Sequence, residues 1–153
     1  MFLRSLFAAL LLSLGMPALA AGEWTTRWDQ GDLIAVTPAH QMQLRLAAVP
    51  NEGTWGHLLI PIKAEQLNEL NKHRKDPLFP YINVAVEVDK YYRTAQGHIL
   101  QDQLVVKTDL DVRQWEGLKK GKKLVVRLPD GSEFKEPLSG SGSALAKVEK
   151  RYR

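Results

Sequence analysis

The sequence predicts a β-rich α+β fold, in which a mainly antiparallel sandwich or barrel-like sheet carries two or three short helices. Residues 81–88 alternate apolar and polar side chains, the period-two pattern of a half-buried strand. Asp130 and Gly131 stand between two further strand candidates, and this dipeptide readily adopts the positive φ angles of a tight hairpin turn. Strand candidates outnumber helical segments, which favours an antiparallel sheet.

Eight segments are strand candidates, and turn-forming residues separate most of them. They are residues 25–29, 33–37, 41–49, 55–62, 81–88, 99–107, 124–128 and 132–138. The turn chemistry of residues 50–53 predicts a hairpin between the third and fourth candidates. A polar turn that contains Gly97 is expected to lead into the sixth candidate, and Tyr91 and Tyr92 are expected to begin a turn.

Three segments have helical signals. Residues 63–74 contain good helix formers, with Leu67 and Leu70 three positions apart. Residues 112–120 are expected to form a short helix that ends at Gly121. The tail after Gly142 begins with a serine that can cap a helix, and its apolar residues recur at helical spacing.

Residues 1–20 are expected to be a cleavable export signal. Arg4 supplies the positive region, the segment that follows is apolar, and Ala18 and Ala20 form the small-x-small pattern that a signal peptidase accepts. We predict cleavage after Ala20, which leaves a single β-rich periplasmic domain over residues 21–153. The apolar segment is shorter than the about 20 residues of a spanning helix, so no membrane span is expected.

Composition restricts the classes of function. The chain has 153 residues and no cysteine, which excludes disulfides, thiolate nucleophiles and sulfur-ligated metals. Arg4 is one of 21 basic residues, and the mature chain keeps the others beside 17 acidic residues. Nucleic-acid-binding proteins usually concentrate a larger basic excess, so no nucleic-acid partner is expected. Weak attraction to anionic lipid, peptidoglycan or an acidic partner is the favoured interpretation.

The sequence predicts no catalytic residue, no metal site and no cofactor. The four histidines are spread along the chain without the short spacing of metal ligands, at His40, His57, His73 and His98. The chain also lacks a Gly-x-Ser-x-Gly elbow, a Ser-x-x-Lys box and a His-Glu-x-x-His motif. These absences lower the expectation of an enzyme, although a triad assembled from remote positions stays open.

Several carboxylates have the chemistry for acid–base catalysis. They are Glu87, Asp89, Asp102, Asp109 and Asp111. Glu87 lies on a predicted strand that a neighbouring strand could bring close to Asp102, giving a hydrolase-like pair. Basic residues nearby in sequence could neutralise these acids, so a charge-paired sheet face is the favoured interpretation. A periplasmic hydrolase of an envelope polysaccharide or peptidoglycan is an alternative.

Aromatic and basic residues are the predicted binding residues. Trp55 lies at the rim of a predicted hairpin, and Tyr91 and Tyr92 lie at a predicted turn, where aromatic side chains can anchor a partner. Trp24 and Trp28 are expected to cover the end of the core. A basic cluster before the seventh strand candidate completes the predicted site, at Lys119, Lys120, Lys122 and Lys123.

The segment from Ser139 to Ser143 follows a predicted strand and opens a predicted helix. Backbone N–H groups and a helix dipole at such a place can hold an anion. The segment lacks the lysine of a P-loop and the spacing of a dinucleotide fingerprint. A flexible turn in which Ser141 or Ser143 caps the helix is the favoured interpretation.

The C-terminal third resembles a known family. A basic, glycine-containing turn at residues 118–124 precedes the hairpin at residues 130–131, and a Leu-Ser-Gly step at 138–140 precedes an Ala-Leu segment at 143–147. This order resembles the end of the invasion-associated locus B-like periplasmic proteins, whose members commonly carry cysteines that this chain lacks. The resemblance implies an exported β-rich domain that acts at the envelope without a defined catalytic centre.

The favoured function is that of a non-enzymatic exported binding protein that recognises a protein or an envelope component. An inhibitor or immunity protein and an envelope-maintenance factor are two cases within this class. The observations behind it are the export signal, the aromatic residues at predicted turns, the basic clusters and the missing catalytic motifs. Besides the hydrolase, a structural protein that self-assembles through an exposed sheet edge is an alternative.

Overall fold

The computed structural model describes residues 22–47, 55–75, 78 and 80–152. Within these ranges the strands are β1 (Thr25–Asp29), β2 (Asp32–Val36), β3 (Gln43–Leu46), β4 (Gly56–Pro61), β5 (Tyr81–Val88), β6 (Tyr91–Leu100), β7 (Val105–Leu110), β8 (Lys123–Arg127) and β9 (Glu133–Pro137). The helices are α1 (Ala64–Asn71), α2 (Val112–Lys120) and α3 (Ser141–Arg151). None of these three helices has the length and apolarity needed to cross a membrane. The predicted export signal and the turn at residues 50–53 lie outside the described residues.

The strands form one antiparallel sheet in the order β1-β2-β3-β4-β7-β6-β5-β8-β9. The sheet curls into a half-barrel, and the helices make the protein β-rich α+β. The predicted fold class is therefore confirmed. Of the two predicted forms, a sandwich and a barrel-like sheet, the structure has the barrel-like one. The two predicted hairpins are also present, because β3 pairs with β4 and β8 pairs with β9.

One face of the curled sheet carries the core. On β5, Ile82, Val84, Val86 and Val88 are all buried, as the alternation in this segment predicted. Helices α2 and α3 pack on one another next to the sheet. Their largest buried apolar side chains are those of Trp115, Leu118, Leu145 and Val148. Helices α2 and α3 thus fill the hollow that the curl of the sheet creates.

A buried carboxylate joins the last strand of the sheet to the turn between β2 and β3. Glu136 on β9 accepts hydrogen bonds from the hydroxyl of Thr37 at 2.7 Å and from the backbone N–H groups of Ala39 at 3.0 Å and His40 at 2.6 Å. These three residues lie in the turn between β2 and β3. Because the carboxylate has several donors, its burial is compensated, and the turn closes the half-barrel against β9.

The structure corrects the prediction around Gly97. This residue lies inside β6, and the predicted strand at 99–107 is the end of β6, a turn and the start of β7. A Cβ atom at Gly97 would overlap the side chain of Val84 and come within 3.0 Å of Val106. The glycine therefore permits close packing between β6 and the core rather than a turn.

The helices agree with their predictions except at two ends. Helix α2 has the predicted bounds, whereas α1 begins at Ala64 but ends at Asn71, before the predicted end at residue 74. Helix α3 begins earlier than expected, at Ser141, after Gly140 in the left-handed region at a φ of 79°. No serine caps this helix by a side-chain hydrogen bond, so the predicted caps at Ser141 and Ser143 are wrong.

Candidate functional site

An open pocket of about 300 Å³ lies where β4, β7 and α2 begin or end. Trp55 directly precedes β4, Asp109 and Leu110 end β7, and Asp111 precedes α2. The pocket is lined by Trp55, Arg93, Asp109, Leu110, Asp111 and Val112. We call it the Trp55 pocket. It combines an indole ring, aliphatic side chains, one guanidinium and two carboxylates in a single hollow.

A histidine–aspartate pair borders the Trp55 pocket. His57 on β4 lies opposite Asp109 on β7, and its Nδ1 is 2.6 Å from Oδ1 of Asp109. The rings of Trp55 and His57 meet edge to face, with centroids 5.3 Å apart. The carboxylate of Asp109 keeps more than half of its surface exposed. The pair therefore orients the indole ring and leaves one carboxylate oxygen accessible to a ligand.

Asp111 is held from several directions. Its Oδ1 accepts a hydrogen bond of 2.7 Å from the backbone N–H of Gln114, which caps α2, and the Gln114 side chain accepts one from the Asp111 N–H. Its Oδ2 accepts a hydrogen bond of 2.9 Å from the hydroxyl of Tyr91. That hydrogen bond, with burial and the carboxylate charge, raises the pKa of Tyr91. Asp111 thus has a fixed position in the pocket wall.

Arg93 is the pocket residue with the most donors left over. In the part of the chain that the structure describes, its one ion pair is a contact of 3.7 Å between its Nε and Oδ2 of Asp111, which is longer than a hydrogen bond. The guanidinium carries five N–H donors, and its side chain is about 40% exposed. These donors point to a ligand group with paired oxygens, such as a carboxylate or phosphate.

The lining of the Trp55 pocket is aromatic, aliphatic and charged. None of its six lining residues is Ser, Thr, Cys or Lys, so the lining offers no hydroxyl, thiol or amine for the His57–Asp109 pair to activate. Across the described residues, no group of three or more His, Cys, Asp or Glu side chains is placed to hold a metal ion. The arrangement offers recognition of shape and charge.

The structure separates the two predicted tyrosines. Tyr91 and Tyr92 begin β6 instead of a turn, so they point to opposite faces of the sheet. Tyr91 supports the Trp55 pocket through Asp111, and the guanidinium of Arg113 lies 4.2 Å from the centre of its ring. Tyr92 is 57% exposed on the outer face. The prediction that both tyrosines lie in a turn is wrong.

Lys119 does not lie free in the predicted basic cluster. Its Nζ donates a hydrogen bond of 2.9 Å to Glu149 on α3 and lies 2.9 Å from Oε1 of Glu116. Burial lowers the pKa of Lys119, but the hydrogen bonds to Glu149 and Glu116 and their charges outweigh it, so the pKa is raised overall. Lys119 links α2 to α3 and is not available to a partner in this arrangement.

The other three predicted lysines form a surface with a fourth. Lys120, Lys122 and Lys123 are exposed, and Lys90 is exposed in the neighbouring turn between β5 and β6. Among the described residues, no carboxylate lies within 4.0 Å of the ammonium group of any of them. We call these four residues, Lys90, Lys120, Lys122 and Lys123, the lysine patch.

The sequence did not indicate how Arg93, Asp109 and His57 come together. In the sequence, Asp109 and Asp111 are only candidate acids, and Arg93 is only one of the basic residues near them. Their meeting depends on the register of β4, β7 and β6. One usable signal was present, because Asp111 followed by Gln114 is the capping pattern that fixes the start of a helix.

The proposed carboxylate pair of a hydrolase does not form. Glu87 lies opposite Tyr92 near the start of β6, whereas Asp102 follows the end of that strand. About 25 Å of strand separates these two positions at a rise of about 3.3 Å per residue. Glu87 is instead bound to Arg127 on β8, with Oε2 and Nη1 3.0 Å apart. The Glu87–Asp102 prediction is wrong.

The segment from Ser139 to Ser143 uses its central hydroxyl internally. The Oγ of Ser141 lies 2.5 Å from the carbonyl oxygen of Leu118 and 2.7 Å from that of Leu138. Either carbonyl takes the hydroxyl proton, and the serine is buried. This hydroxyl joins α2 to the start of α3 and is not available to hold an anion.

Comparison with known proteins supports the fold. The crystal structure of invasion associated protein B from Bartonella henselae matches 86% of this chain and 94% of its own chain, with a TM-score of 0.52 and 17% identical residues. No family model and no curated protein matches the sequence. The resemblance that the C-terminal third predicted is therefore confirmed as a likeness of fold, and it extends over most of the chain.

Proposed function

We propose that this protein is an exported binding protein that recognises a protein or an envelope component through the Trp55 pocket. The observation that carries the proposal is the position of Arg93, which lines an open pocket beside Trp55 and has most of its N–H donors unused. Tryptophan and arginine are the residue types that most often dominate the free energy of binding at interfaces. The pocket also contains one of the predicted binding residues and is supported by another.

Rigidity supports this role. The wall of the pocket is fixed before any ligand arrives, because Asp111 caps α2 and is bound by Tyr91. Asp109 is likewise held by His57. A binding site whose side chains are already ordered loses less conformational entropy when a ligand binds. The rigid groups of this pocket therefore favour specific recognition over non-specific contact.

The lining also restricts the ligand. Arg93 offers paired N–H donors, and Asp109 and Asp111 present negative charge on the same rim. A strongly anionic polymer would meet these carboxylates, so the pocket favours a ligand segment with one carboxylate or phosphate group. Trp55 favours an apolar or flat group next to that anion. Peptide termini and sugars that carry a carboxylate or phosphate both have this chemistry. Both occur among the partners that we propose, which are proteins and envelope components.

Affinity capture tests the proposal. The full chain with a C-terminal tag is expressed with its own export signal, and the proteins and glycans that it retains from the periplasm are compared with those of variants. We expect Trp55→Ala and Arg93→Ala each to lower the affinity for the captured partner by about thirtyfold, the effect of a binding hot spot. Thr94→Ala, on the outer face of β6, is the matched control and should retain the partner.

Retention of the same partner by the Trp55→Ala and Arg93→Ala variants, with unchanged affinity, would contradict the assignment of this pocket. Capture of nothing beyond what an unrelated exported protein retains would also count against it. Thermal unfolding of each variant shows whether a loss of binding comes from the site or from the fold.

A second candidate function rests on the edge of the sheet. β1 is an end strand, and Trp28 on it is 61% exposed, with the guanidinium of Arg151 5.6 Å from the centre of one of its rings. The expectation that Trp28 covers the end of the core is therefore wrong, whereas Trp24 is buried, as expected. An exposed edge can pair with another chain. Sizing over a concentration series, with Thr26→Pro to block pairing, tests self-assembly.

A further inference from the structure

We propose that the lysine patch docks this protein on an anionic lipid surface. The proposal is independent of the Trp55 pocket, because none of the four lysines lines it. The partner is a flat membrane face that presents phosphate groups.

Asp89 brings the two segments of the patch together. Its Oδ1 accepts hydrogen bonds of 2.9 Å and 3.0 Å from the backbone N–H groups of Lys122 and Lys123, and its own N–H donates to the carbonyl oxygen of Lys123. A Cβ atom at Gly121 would come within 2.6 Å of Oδ2 of Asp89. The β5–β6 turn, which holds Lys90, is therefore packed directly against the Lys122 loop.

The four ammonium groups of the patch have no carboxylate within 4.0 Å among the described residues, so they are available to a partner. Elsewhere in the described ranges, some exposed cations, such as Lys72 and Lys135, have a carboxylate within about 3 Å, whereas others, such as Lys63 and Lys150, have none, as in the patch. At the patch, Asp89 directs Oδ1 to backbone N–H groups rather than to an ammonium group. A basic residue near the end of a helix can serve the helix dipole, which explains Lys120 but not the other three.

The residue type favours a lipid surface over a protein partner. All four residues are lysines, which are depleted at protein interfaces, where arginine is enriched. Lysine carries a compact, strongly hydrated charge on a flexible stem, so it binds a layer of mobile phosphates without a fixed geometry. Each lysine near an anionic membrane surface strengthens binding by about fivefold.

An exposed aromatic ring shares the outer face of the sheet with Lys123. Tyr92 lies opposite Glu87, and Glu87 lies opposite Val125, which is two residues after Lys123 on β8. Residues at these positions point to the same side of the sheet. Tyrosine is enriched at the boundary between lipid and water because its ring is apolar and its hydroxyl is polar. Tyr92 therefore suits the headgroup layer on the face of the sheet that carries Lys123.

Vesicle sedimentation tests the proposal. The protein, purified after export, is mixed with vesicles of phosphatidylcholine that contain phosphatidylglycerol, and with vesicles of phosphatidylcholine alone. We expect binding to the anionic vesicles only, with affinity that falls as salt rises from 50 to 300 mM. Replacing Lys90, Lys120, Lys122 and Lys123 by Gln should lower the affinity by about a hundredfold or more, at roughly fivefold for each lysine.

The matched control removes the same charge elsewhere, through Gln at Lys63, Lys75, Lys107 and Lys150. We expect it to lower the affinity by no more than about threefold. If both quadruple variants lose binding equally, net charge and not the patch is responsible, and the proposal is overturned. It is also overturned if soluble polyphosphate binds at the patch while anionic vesicles do not. If the quadruple variant unfolds, the double variant with Lys90→Gln and Lys122→Gln is tested in its place.

Discussion

The indole N–H of Trp115 donates a hydrogen bond of 2.7 Å to Oε1 of Glu149, which joins α2 to α3 inside the core. The same carboxylate oxygen accepts a hydrogen bond of 2.9 Å from Lys119. Trp115 is fully buried, and the Glu149 side chain is almost so. A buried indole N–H without an acceptor would cost free energy, so this acidic residue in an otherwise apolar helix face has a structural reason.

Removal of this carboxylate should destabilise the fold. Glu149→Ala leaves the Trp115 N–H without its acceptor and Lys119 without its better partner. We expect the free energy of unfolding to fall by about 2–4 kcal/mol. Urea unfolding followed by tryptophan fluorescence measures this free energy of unfolding. Glu116→Ala removes the more exposed partner of Lys119 and should cost less than about 1 kcal/mol. Equal losses for the two variants would contradict the assigned role of Glu149.

Stability at alkaline pH should depend on Lys119. Burial lowers its pKa, but the hydrogen bonds to Glu149 and Glu116 raise it above the ordinary value in the folded state. The folded state thus binds the proton more tightly, so this contribution is complete below the unfolded pKa of about 10.4. It is lost as pH rises through the folded pKa.

Unfolding in urea between pH 8 and pH 12 checks this prediction. The wild-type protein should lose more stability above about pH 10 than Lys119→Met, which has no proton to release. Lys120→Met is the matched control, because that lysine has the same helix context and is exposed. Indistinguishable pH profiles for Lys119→Met and wild type would contradict the prediction.

Tyr91 should report on the wall of the Trp55 pocket. Its pKa is raised by the hydrogen bond to Asp111, by burial and by the negative charge of that residue. Asp111→Asn keeps a residue that caps helices well but removes the charge, so the pKa should fall toward its ordinary value. Titration of labelled tyrosine by NMR measures the pKa of Tyr91. Asp109→Asn is the control and should change this pKa less.

Gly97 should not tolerate a side chain. A Cβ atom there would overlap Val84 and press on Val106 across the core face of β6. Gly97→Ala should therefore destabilise the protein by about 1–3 kcal/mol through overpacking. Gln96→Ala changes the neighbouring exposed position and should cost less than about 0.5 kcal/mol. Thermal unfolding of both variants compares them, and a neutral Gly97→Ala would refute the packing argument.

Export should remove residues 1–20. The predicted cut after Ala20 leaves Trp24 in the mature chain, where its Nε1 donates a hydrogen bond of 2.7 Å to the carbonyl oxygen of Pro137. We expect mass spectrometry of the periplasmic protein to find Ala21 at its N-terminus. Ala18→Arg breaks the small-x-small pattern and should leave an uncleaved precursor. A full-length N-terminus in the wild-type protein would refute the prediction.

Much of the sheet was predictable from local patterns. Alternation identified β5, and the Asp130–Gly131 turn identified the β8–β9 hairpin. β6 escaped prediction because its outer residues are polar and Gly97 interrupts the pattern. Glycine indicates a turn by its backbone freedom, yet here its lack of a side chain is what matters. A sequence does not distinguish these two uses of glycine.

The candidate site was predictable only in part. Trp55 and Tyr91 were named from their residue type, but the role of Arg93 depends on where β6 places it beside Asp111. Lys119 is the opposite case, because it was a predicted binding residue and is paired inside the fold. Its sequence neighbours are exposed lysines, whereas its own position on α2 brings it within reach of Glu149 on α3. Side-chain partners distant in the chain are set by strand register and helix packing, which local composition does not encode.

By itself, the sequence determined the absence of disulfide chemistry, the β-rich class and the alternation that buries one face of β5, because composition and periodicity act within one segment. Only the tertiary structure decided which charges are used internally. The carboxylate of Glu136 joins β9 to the turn between β2 and β3, whereas the four lysines of the patch have no such partner among the described residues. The physical reason is that ion pairs and hydrogen bonds act over a few Å in space, whatever the separation along the chain.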